Sequence, residues 1–269
     1  MQDYVHGYSQ REAERLTDQA NGLSHLLHHD SFFLPGSTIL EPGCGIGAQT
    51  QILAQQNPQC QLTSVDISED SLSKAQETIQ RHGLNNVQFV KSDLFRLPFQ
   101  HASFDQLFIC FLLEHLQNPL EALIHLKHFL KPGGEVIVIE GDHGSCYFHP
   151  ETPASRQVWQ CLVDCQSALG ANSLIGRQLY PLVKQAAFDA ISVQPRYIYV
   201  DETVPEAKET FVGQIIIPMV AGVKKQAIKQ GMVDEATWEQ GMTDLEYIRS
   251  SSEGTFLYTF FKAKAKNQP

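Results

Sequence analysis

The sequence lacks several features that would assign it to other classes of protein. Its six cysteines form no C-x-x-C pair, and the first residues, Met1 to Tyr4, contain no apolar run typical of a signal sequence. The longest apolar stretch, Phe104 to Leu113, is interrupted by Asp105 and Gln106 and is too short to span a bilayer. We therefore expect a cytoplasmic protein with reduced thiols.

Basic residues are scarce as well. The chain has 20 Lys and Arg against 30 Asp and Glu, which gives a formal net charge of -10. A negative surface repels phosphate backbones and anionic lipids unless a local basic patch overrides it, and no such patch is evident in the sequence. We therefore expect neither a nucleic-acid partner nor a membrane partner.

What the sequence does contain is a regular alternation of strands and helices. Such an alternation is typical of crossover units in a mostly parallel sheet. The pattern predicts strands at residues 38–40, 61–65, 87–90, 104–111, 135–139, 191–200 and 255–261. We therefore predict an α/β protein with a Rossmann-like, doubly wound, mostly parallel seven-stranded sheet whose last strand is antiparallel.

Two helical regions lie outside this alternation. Apolar positions recur at helical spacing from Ser9 to His29, and the pattern from Asp201 to Ser252 is helical too. The second region is too long for a bare loop, so we interpret it as a helical cap. The predicted division is an N-terminal helical lid segment, a cofactor-binding core, a cap insertion and a final strand with its tail, at residues 1–35, 36–200, 201–253 and 254–269.

A glycine-rich loop, Glu41-Pro42-Gly43-Cys44-Gly45-Ile46-Gly47, follows the first predicted strand. Gly43, Gly45 and Gly47 stand between a strand and a helix, where the backbone can approach a cofactor closely. The loop also satisfies the dinucleotide fingerprint and therefore leaves both NAD and S-adenosylmethionine open. Glu41 favours the second, because a carboxylate there would oppose a pyrophosphate but attract the ammonium and sulfonium groups of S-adenosylmethionine.

Two acidic residues follow at the ends of the next strands. Asp66 ends the second strand, where a carboxylate can accept hydrogen bonds from both ribose hydroxyls of either cofactor. Asp93 follows the third strand, where it or a neighbouring amide can bind the exocyclic amine of an adenine. Alternatively, Asp66 caps the next helix and Asp93 caps a turn before Leu94.

The order of these segments resembles the class I S-adenosylmethionine-dependent methyltransferase family, close to its ubiquinone/menaquinone-type and secondary-metabolite small-molecule branch. The resemblance covers residues 36–141 and rests on Glu41–Gly47, Val65–Ser68, Ser92–Leu94, Leu97–Phe99, Phe104–Asp105 and Leu130–Gly134. It implies that the glycine loop holds the methionine part of the cofactor, Asp66 the ribose and Asp93 the adenine amine. The N-terminal stretch Tyr4–Ser9 resembles a segment that closes over the cofactor in some small-molecule methyltransferases. The implied cofactor-binding residues are Tyr8, Glu41, Gly43, Gly45, Gly47, Asp66, Ile67, Ser92, Asp93, Leu94, Cys110 and Phe111.

Two histidines are candidate catalytic residues. His115 follows the fourth strand and His143 the fifth, where ligands bind in open parallel sheets. A neutral imidazole at either position can take a proton from an amine, thiol or hydroxyl group near pH 7. The alternative is that both are loop histidines without a catalytic role. His25 and His29 lie one helical turn apart, but no third ligand follows at a recognisable spacing, so no metal site is predicted.

Two signatures of macromolecular methylation are missing. The sequence has neither the Pro-Cys signature of base methyltransferases nor the Asn-Pro-Pro-aromatic motif, whose place is taken by Ile109-Cys110-Phe111-Leu112. Both absences favour a small-molecule substrate. We therefore predict an enzyme that uses S-adenosyl-L-methionine, releases S-adenosyl-L-homocysteine and methylates an N, O, S or C nucleophile, as a monomer or homodimer. The alternatives are an NAD-dependent oxidoreductase and a catalytically inactive methyltransferase-like binding protein.

Overall fold

The computed structural model of the chain describes the backbone of residues 10–268 and the side chains of residues 15–268. The chain forms two compact units. The helical unit comprises Met1–Leu23, Asp142–Leu174 and Tyr197–Thr259. The core unit comprises Ser24–Gly141, Ile175–Arg196 and Phe260–Pro269. The four-part division of the chain stays a prediction.

The sheet has the predicted architecture. Its strands are β1 Thr38–Pro42, β2 Gln61–Asp66, β3 Val87–Lys91, β4 Phe104–Cys110, β5 Leu130–His149, β6 Asp189–Val200 and β7 Thr255–Lys266. Their order is β3-β2-β1-β4-β5-β7-β6, with parallel pairing from β3 through β5 and antiparallel last strands. The winding direction reverses between β1 and β4, and open α/β sheets bind ligands at such a switch point. The predicted fold class is confirmed.

Helices connect the strands and fill the insertion between β6 and β7, as predicted. They are α1 Gln10–His28, α2 Ala48–Gln56, α3 Glu69–Arg81, α4 Pro119–Lys127, α5 Pro153–Ala168, α6 Leu179–Gln185, α7 Pro205–Lys208, α8 Ile217–Ala221, α9 Lys224–Lys229 and α10 Glu235–Ser250. Polar side chains satisfy the first amides of some of them. Ser68 accepts a hydrogen bond from the Ser71 amide at the start of α3, and Asp234 accepts one from the Thr237 amide at the start of α10.

Apolar packing fixes the ends of β4 and β5 within the core unit. Leu107 and Ile109 of β4 pair in register with Val136 and Val138 of β5, so the four buried side chains share one face of the sheet. Helices α4 and α6 belong to the same buried cluster through Leu123, Leu126, Leu179 and Val183. The polar residues that follow these strands are therefore held by a packed core.

Strand β5 is longer than predicted. It begins at Leu130 rather than at the predicted Glu135, because α4 stops at Lys127 and Leu130 is buried in the core. It continues past Ile139 to His149, and residues 136–143 are all buried. Buried polar residues in this stretch interrupt the apolar pattern on which the prediction depends. Glu140 and His143 are thus strand residues, and the predicted end of this strand at residue 139 is wrong.

The insertion contains an uncommon helix. Residues Glu209–Ile216 form a π-helix between α7 and α8, a conformation found frequently at functional sites. In the described part of the chain, the helical stretch Pro205–Lys229 is long and apolar enough to cross a bilayer by length and composition, although 50% of its most apolar window is buried in the protein. The absence of a membrane partner stays a prediction.

A network of charges joins the end of α1 to β6 and β7 within the core unit. Asp30 accepts hydrogen bonds from Arg196 and Lys262, each at 2.7 Å. Burial alone would raise the pKa of Asp30, but these cations and Lys264 hold it well below its usual range. His28, next to this network, is fully buried. Burial lowers the pKa of His28 to about 4. The hydrogen bond with Gln49 raises this pKa but does not offset the effect of burial.

His28 is expected to weaken the folded state in acid. In the unfolded chain its imidazole is protonated near the ordinary pKa of 6.5, whereas the folded chain resists protonation down to about 4. Its contribution to stability is therefore fully present above pH 6.5 and is lost as the pH falls from 6.5 to 4. At about 1.36 kcal/mol per pKa unit, this amounts to about 3 kcal/mol.

Urea unfolding at about pH 7.5 and about pH 4.5 measures this effect. His28→Asn should reduce the difference in the free energy of unfolding between the two pH values. His82→Asn, at an exposed position at the end of α3, should leave the difference unchanged. The same pH difference in all three proteins would show that His28 is not the group responsible.

Candidate cofactor-binding site

The glycine loop joins β1 to α2 and is bound to the end of β2. The amides of Gly43 and Cys44 both donate to the carbonyl of Val65, at 2.7 and 3.0 Å. Pro42 of β1 pairs in register with Val65, so the loop continues the contact between the two parallel strands. This arrangement places the loop beside Asp66, the next residue of β2.

Gly45 and Gly47 have positive φ angles of 53° and 77°, which favour glycine, but their surroundings differ. A Cβ atom at Gly47 would lie 2.9 Å from the Cβ and 3.1 Å from the Cα of Ala75. Gly47 therefore allows α2 to begin close to α3. A Cβ atom at Gly45 would meet nothing within 4 Å. The backbone of Gly45 thus faces open space, as a loop that binds a cofactor requires.

Asp66 is held by two backbone amides. Its Oδ2 accepts a hydrogen bond from the amide of Gly45 at 2.8 Å, and its Oδ1 accepts one from the amide of Ser68 at 2.9 Å. An ionised carboxylate has about four acceptor sites, so each oxygen keeps capacity for a further donor. Ile67, the next residue, exposes 57% of its surface. A fixed carboxylate and an exposed apolar side chain therefore adjoin the open side of the glycine loop.

The segment after β3 reaches the same edge of the sheet. The amide of Ser92 donates to the carbonyl of Asp66 at 3.0 Å. Asp93 is exposed and accepts a hydrogen bond from the amide of Phe95 at 2.9 Å, which caps the short 3₁₀ turn that starts at Leu94. The structure thus brings Ser92, Asp93 and Leu94 next to Asp66. It also gives Asp93 the local capping contact that the alternative interpretation predicts.

Glu41 lies inside the protein. It is 3% exposed, and its Oε2 accepts hydrogen bonds from the hydroxyls of Thr50 at 2.7 Å and Ser64 at 2.6 Å. Burial raises the pKa of Glu41 to about 6; the hydrogen bonds from the two hydroxyls lower it only in part, and the nearby Asp66 raises it further. The sequence predicts that the Glu41 carboxylate attracts the charged groups of the cofactor. The structure shows this carboxyl group buried and hydrogen-bonded within the protein.

The end of β4 has a strained backbone. Phe111 has a φ of 53°, a rare value for a residue with a side chain. Its amide donates to the carbonyl of Ile139 at 2.9 Å. The neighbouring Leu112 side chain lies against the glycine loop. A Cβ atom added at Gly43 would be only 2.6 Å from Leu112 Cδ1. Burial, followed by nearby carboxyl groups, raises the pKa of the Cys110 thiol well above its ordinary value, so this thiol is not a thiolate nucleophile.

The two candidate catalytic histidines lie in different units. His115 is in the core unit, on the turn Leu113–His115, with its Nε2 3.6 Å from Glu114 Oε1. His143 is in the helical unit and is 6% exposed. Its Nδ1 lies 2.6 Å from the hydroxyl oxygen of Tyr258, and its carbonyl accepts a hydrogen bond from the indole of Trp159 at 2.9 Å.

Two further predictions concern other parts of the chain. Tyr8, predicted to close over the cofactor, lies outside the residues that the structure describes. The rings of His25 and His29 stack at 5.6 Å. Among the described residues, no group of three or more His, Cys, Asp or Glu side chains is arranged to hold a metal ion.

Sequence reasoning missed Glu140. This residue is completely buried at the end of the core-unit part of β5. Its Oε1 accepts hydrogen bonds from the amides of Leu112 at 3.1 Å and Leu113 at 2.7 Å, and so holds the turn after β4. The available signal was a carboxylate directly after the apolar run Val136–Ile139, at the same edge of the sheet as Asp66.

The chain resembles known methyltransferases in sequence. A family model described as a methyltransferase domain matches residues 34–186. An uncharacterised methyltransferase of Schizosaccharomyces pombe is 34% identical over 150 residues, which are 52% of this chain and 52% of that protein. A demethylmenaquinone methyltransferase of Lactococcus lactis is 30% identical over 128 residues, which are 47% of this chain and 48% of that protein. The chain thus spans about half the length of the curated relatives it matches.

The fold also matches a solved structure. The phosphoethanolamine N-methyltransferase 2 of Haemonchus contortus, in complex with phosphomonomethylethanolamine and S-adenosylhomocysteine, superposes with a TM-score of 0.56 at 18% identity. The match covers 93% of this chain and 53% of that chain. At this identity the likeness concerns the fold alone.

A doubly wound sheet of this strand order, with a glycine loop after β1 and a carboxylate at the end of β2, defines a Rossmann-like nucleotide-binding protein. The family match is more specific: the chain belongs to the methyltransferase domain family. The predicted membership in the class I S-adenosylmethionine-dependent methyltransferases is thereby confirmed. The roles of the individual site residues stay predictions.

Proposed function

We propose that the chain binds S-adenosyl-L-methionine and transfers its methyl group to a small-molecule acceptor, with S-adenosyl-L-homocysteine as product. The observation that carries this proposal is the 2.8 Å hydrogen bond from the Gly45 amide to Asp66, on a loop whose Gly45 faces open space. A fixed carboxylate and an accessible backbone meet at the switch point of the sheet. Such a site suits a cofactor that carries a ribose.

Most of the predicted residues contact a particular part of the cofactor. Asp66 accepts hydrogen bonds from the ribose hydroxyls, Ile67 packs against the adenine, and Asp93 with the adjacent backbone binds the adenine amine. The glycine loop and the end of β4 at Cys110 and Phe111 hold the methionine part. When bound, the cofactor supplies a methyl group already activated by a sulfonium. The protein then has to hold the acceptor in line and exclude water, and such positioning can contribute about 7–11 kcal/mol of barrier lowering.

Proton removal from the acceptor is assigned to the two histidines. His115 belongs to the core unit, as do the proposed cofactor residues. His143 is proposed to act together with Tyr258, since its Nδ1 lies 2.6 Å from the tyrosine hydroxyl oxygen. Which ring nitrogen carries the proton depends on the tautomer.

The names of the relatives support a small-molecule acceptor. One relative is a demethylmenaquinone methyltransferase, and the protein in the matching structure is a phosphoethanolamine N-methyltransferase. The formal charge of -10 is consistent with the prediction that nucleic acid is not the substrate. A cytoplasmic location and a monomeric or homodimeric state belong to the same proposal.

A thermal-shift comparison of S-adenosylhomocysteine with NADH tests the cofactor. A ligand present at about 100 times its dissociation constant stabilises the folded state by about 2.7 kcal/mol. We expect S-adenosylhomocysteine to raise the melting temperature and NADH to leave it unchanged. Stabilisation by NADH alone would favour an oxidoreductase and would contradict the proposal.

Methyl incorporation from labelled S-adenosylmethionine tests the reaction itself. Small amines, phenols, thiols and quinols serve as acceptors, and heat-denatured protein serves as the control. We expect labelled product with at least one of these classes. Tight cofactor binding without incorporation into any of them would favour the alternative of an inactive, methyltransferase-like binding protein.

A further inference from the structure

Three carboxyl groups converge on the Cys110 thiol at the carboxyl ends of three neighbouring strands. Glu41 lies near the end of β1, Glu140 follows Ile139, which pairs in register with Cys110, and Glu114 lies on the turn after β4. Burial is the main reason why the pKa of Cys110 is raised, and Glu140, Glu41 and Glu114 all raise it further. This part of the site therefore has a negative potential.

The cation that acts on the Cys110 thiol is itself paired. The positive charge of Lys262 lowers the pKa of the Cys110 thiol. Its ammonium group, however, donates to Asp30 Oδ1 at 2.7 Å, to the hydroxyl of Ser31 at 2.7 Å and to the carbonyl of Leu27 at 3.0 Å. Asp30 also binds Arg196 and Lys264, so it does not balance Lys262 alone. On the pKa of Cys110, however, Glu140 and Glu41 each have a larger effect than Lys262.

Glu140 has an oxygen without a partner. Its Oε1 binds the amides of Leu112 and Leu113, whereas its Oε2 is buried and has no hydrogen-bond partner among the described residues. Burial raises the pKa of Glu140 well above its ordinary value, and repulsion from Glu114 adds to this effect. A buried carboxyl group in this situation must either keep a proton or gain a cation. The cluster of Glu41, Glu114 and Glu140 therefore favours a positively charged ligand group.

The charge of the acceptor decides how such a cluster affects methyl transfer. When a neutral amine attacks, a bond forms between nitrogen and the methyl carbon, the carbon–sulfur bond breaks, and its electron pair stays on sulfur. The positive charge then moves from sulfur to nitrogen and keeps its attraction to the carboxylates. When a phenolate, thiolate or enolate attacks, the positive charge disappears and this attraction is lost. A negative site also repels the anionic nucleophile before it reacts.

We propose that the methyl acceptor is an amine, recognised as an ammonium ion by the carboxyl cluster of Glu41, Glu114 and Glu140. The ammonium transfers one proton to the imidazole of His115, whose Nε2 lies 3.6 Å from Glu114 Oε1, and the neutral nitrogen then attacks the methyl carbon. The products are an N-methylammonium ion and S-adenosylhomocysteine. This inference rests on the proposed function and narrows its substrate class.

A binding experiment tests the charge preference without knowledge of the acceptor. Sinefungin carries a protonated amine in place of the methylsulfonium group, whereas S-adenosylhomocysteine is neutral at that position. Calorimetry should show sinefungin to bind at least about tenfold more tightly, or about 1.4 kcal/mol. Equal binding, or tighter binding of S-adenosylhomocysteine, would overturn the proposal. Failure of both ligands to bind would instead contradict the proposed function.

Variants connect the preference to the cluster. Glu140→Gln keeps the size of the side chain and an oxygen for the Leu112 amide, and it should reduce the preference for sinefungin to about threefold or less. Glu114→Gln should also reduce the preference for sinefungin; its side chain is 13% exposed. This second variant keeps the test available if Glu140→Gln does not fold. Glu77→Gln removes the same charge from an exposed position on α3 and should leave the ratio unchanged. An unchanged ratio in the folded cluster variants would overturn the proposal.

Matched acceptors test the reaction. We expect methylation of 2-phenylethylamine, and much slower methylation of 4-ethylphenol and 2-phenylethanethiol, which have similar carbon frames. Methylation of the phenol or the thiol but not of the amine would overturn the amine assignment and leave the proposed function intact. If none of the three reacts, the ratio of the affinities for sinefungin and S-adenosylhomocysteine, and its change in the variants, decides whether the proposal holds.

Discussion

Replacement of Asp66 by alanine should lower the affinity for S-adenosylmethionine by at least about 100-fold. The carboxylate accepts hydrogen bonds from the amides of Gly45 and Ser68 and is proposed to accept both ribose hydroxyls as well. A hydrogen bond to a charged group contributes about 1.5–3 kcal/mol, so the loss of two such bonds to the ligand amounts to about 3 kcal/mol or more. Calorimetric titration with S-adenosylmethionine measures the change.

Asp70→Ala is the matched control. Asp70 is exposed in the first turn of α3 and carries the same charge four positions further along the chain. This variant should bind S-adenosylmethionine with nearly unchanged affinity. Asp66→Asn adds a second comparison, because the amide keeps one acceptor oxygen and should lose less affinity than alanine does. Wild-type affinity in Asp66→Ala would show that Asp66 only binds the amides of Gly45 and Ser68 and does not contact the cofactor.

Alanine substitution should mainly reduce stability at Gly47 and mainly reduce cofactor binding at Gly45. Both glycines have a positive φ, and a left-handed conformation costs alanine about 1–2 kcal/mol. At Gly47 the new Cβ atom would also lie 2.9 Å from the Cβ of Ala75, and such crowding costs about 1–3 kcal/mol more. Gly47→Ala should therefore lower the melting temperature by about 6–12 °C, as measured by calorimetry.

Gly45→Ala serves as the counterpart. Its Cβ atom would meet nothing within 4 Å, so only the conformational strain remains, and the melting temperature should fall by about 5 °C or less. The same Cβ atom would enter the space proposed for the cofactor, so the affinity for S-adenosylmethionine should fall by about tenfold or more. If Gly45→Ala bound the cofactor normally, the open side of the loop would not be the binding surface.

The local features of the site were predictable because they depend on short segments. The spacing of Gly43, Gly45 and Gly47 after an apolar strand predicts a strand–loop–helix unit, and the structure contains it. The position of Asp66 and Asp93 at the site was predictable too, because parallel strands present their carboxyl ends at one edge of the sheet. The hydrogen bond from the Gly45 amide to Asp66 could not be predicted, since it joins distant segments, whereas the contact of Asp93 with the Phe95 amide is local and is one of the predicted alternatives.

The surroundings of the carboxyl groups depend on contacts between distant segments. Glu41 is identified in the sequence as a residue of the glycine loop, but only the fold shows that Thr50 and Ser64 bind it inside the protein. Glu140 gives no local signal beyond its place after an apolar run. Its importance becomes visible only when its Oε1 is seen to hold the amide of Leu112.

The class of fold, the glycine loop and the acidic residue at the end of β2 follow from the amino-acid sequence. These features are encoded by periodicity and spacing along the chain, which do not require knowledge of distant contacts. The full length of β5, the burial of His143 and the grouping of Glu41, Glu114 and Glu140 around Cys110 are apparent only in the folded chain. Burial and the electrostatic effect of one carboxyl group on another depend on which distant residues pack together, and the order of residues does not specify this locally.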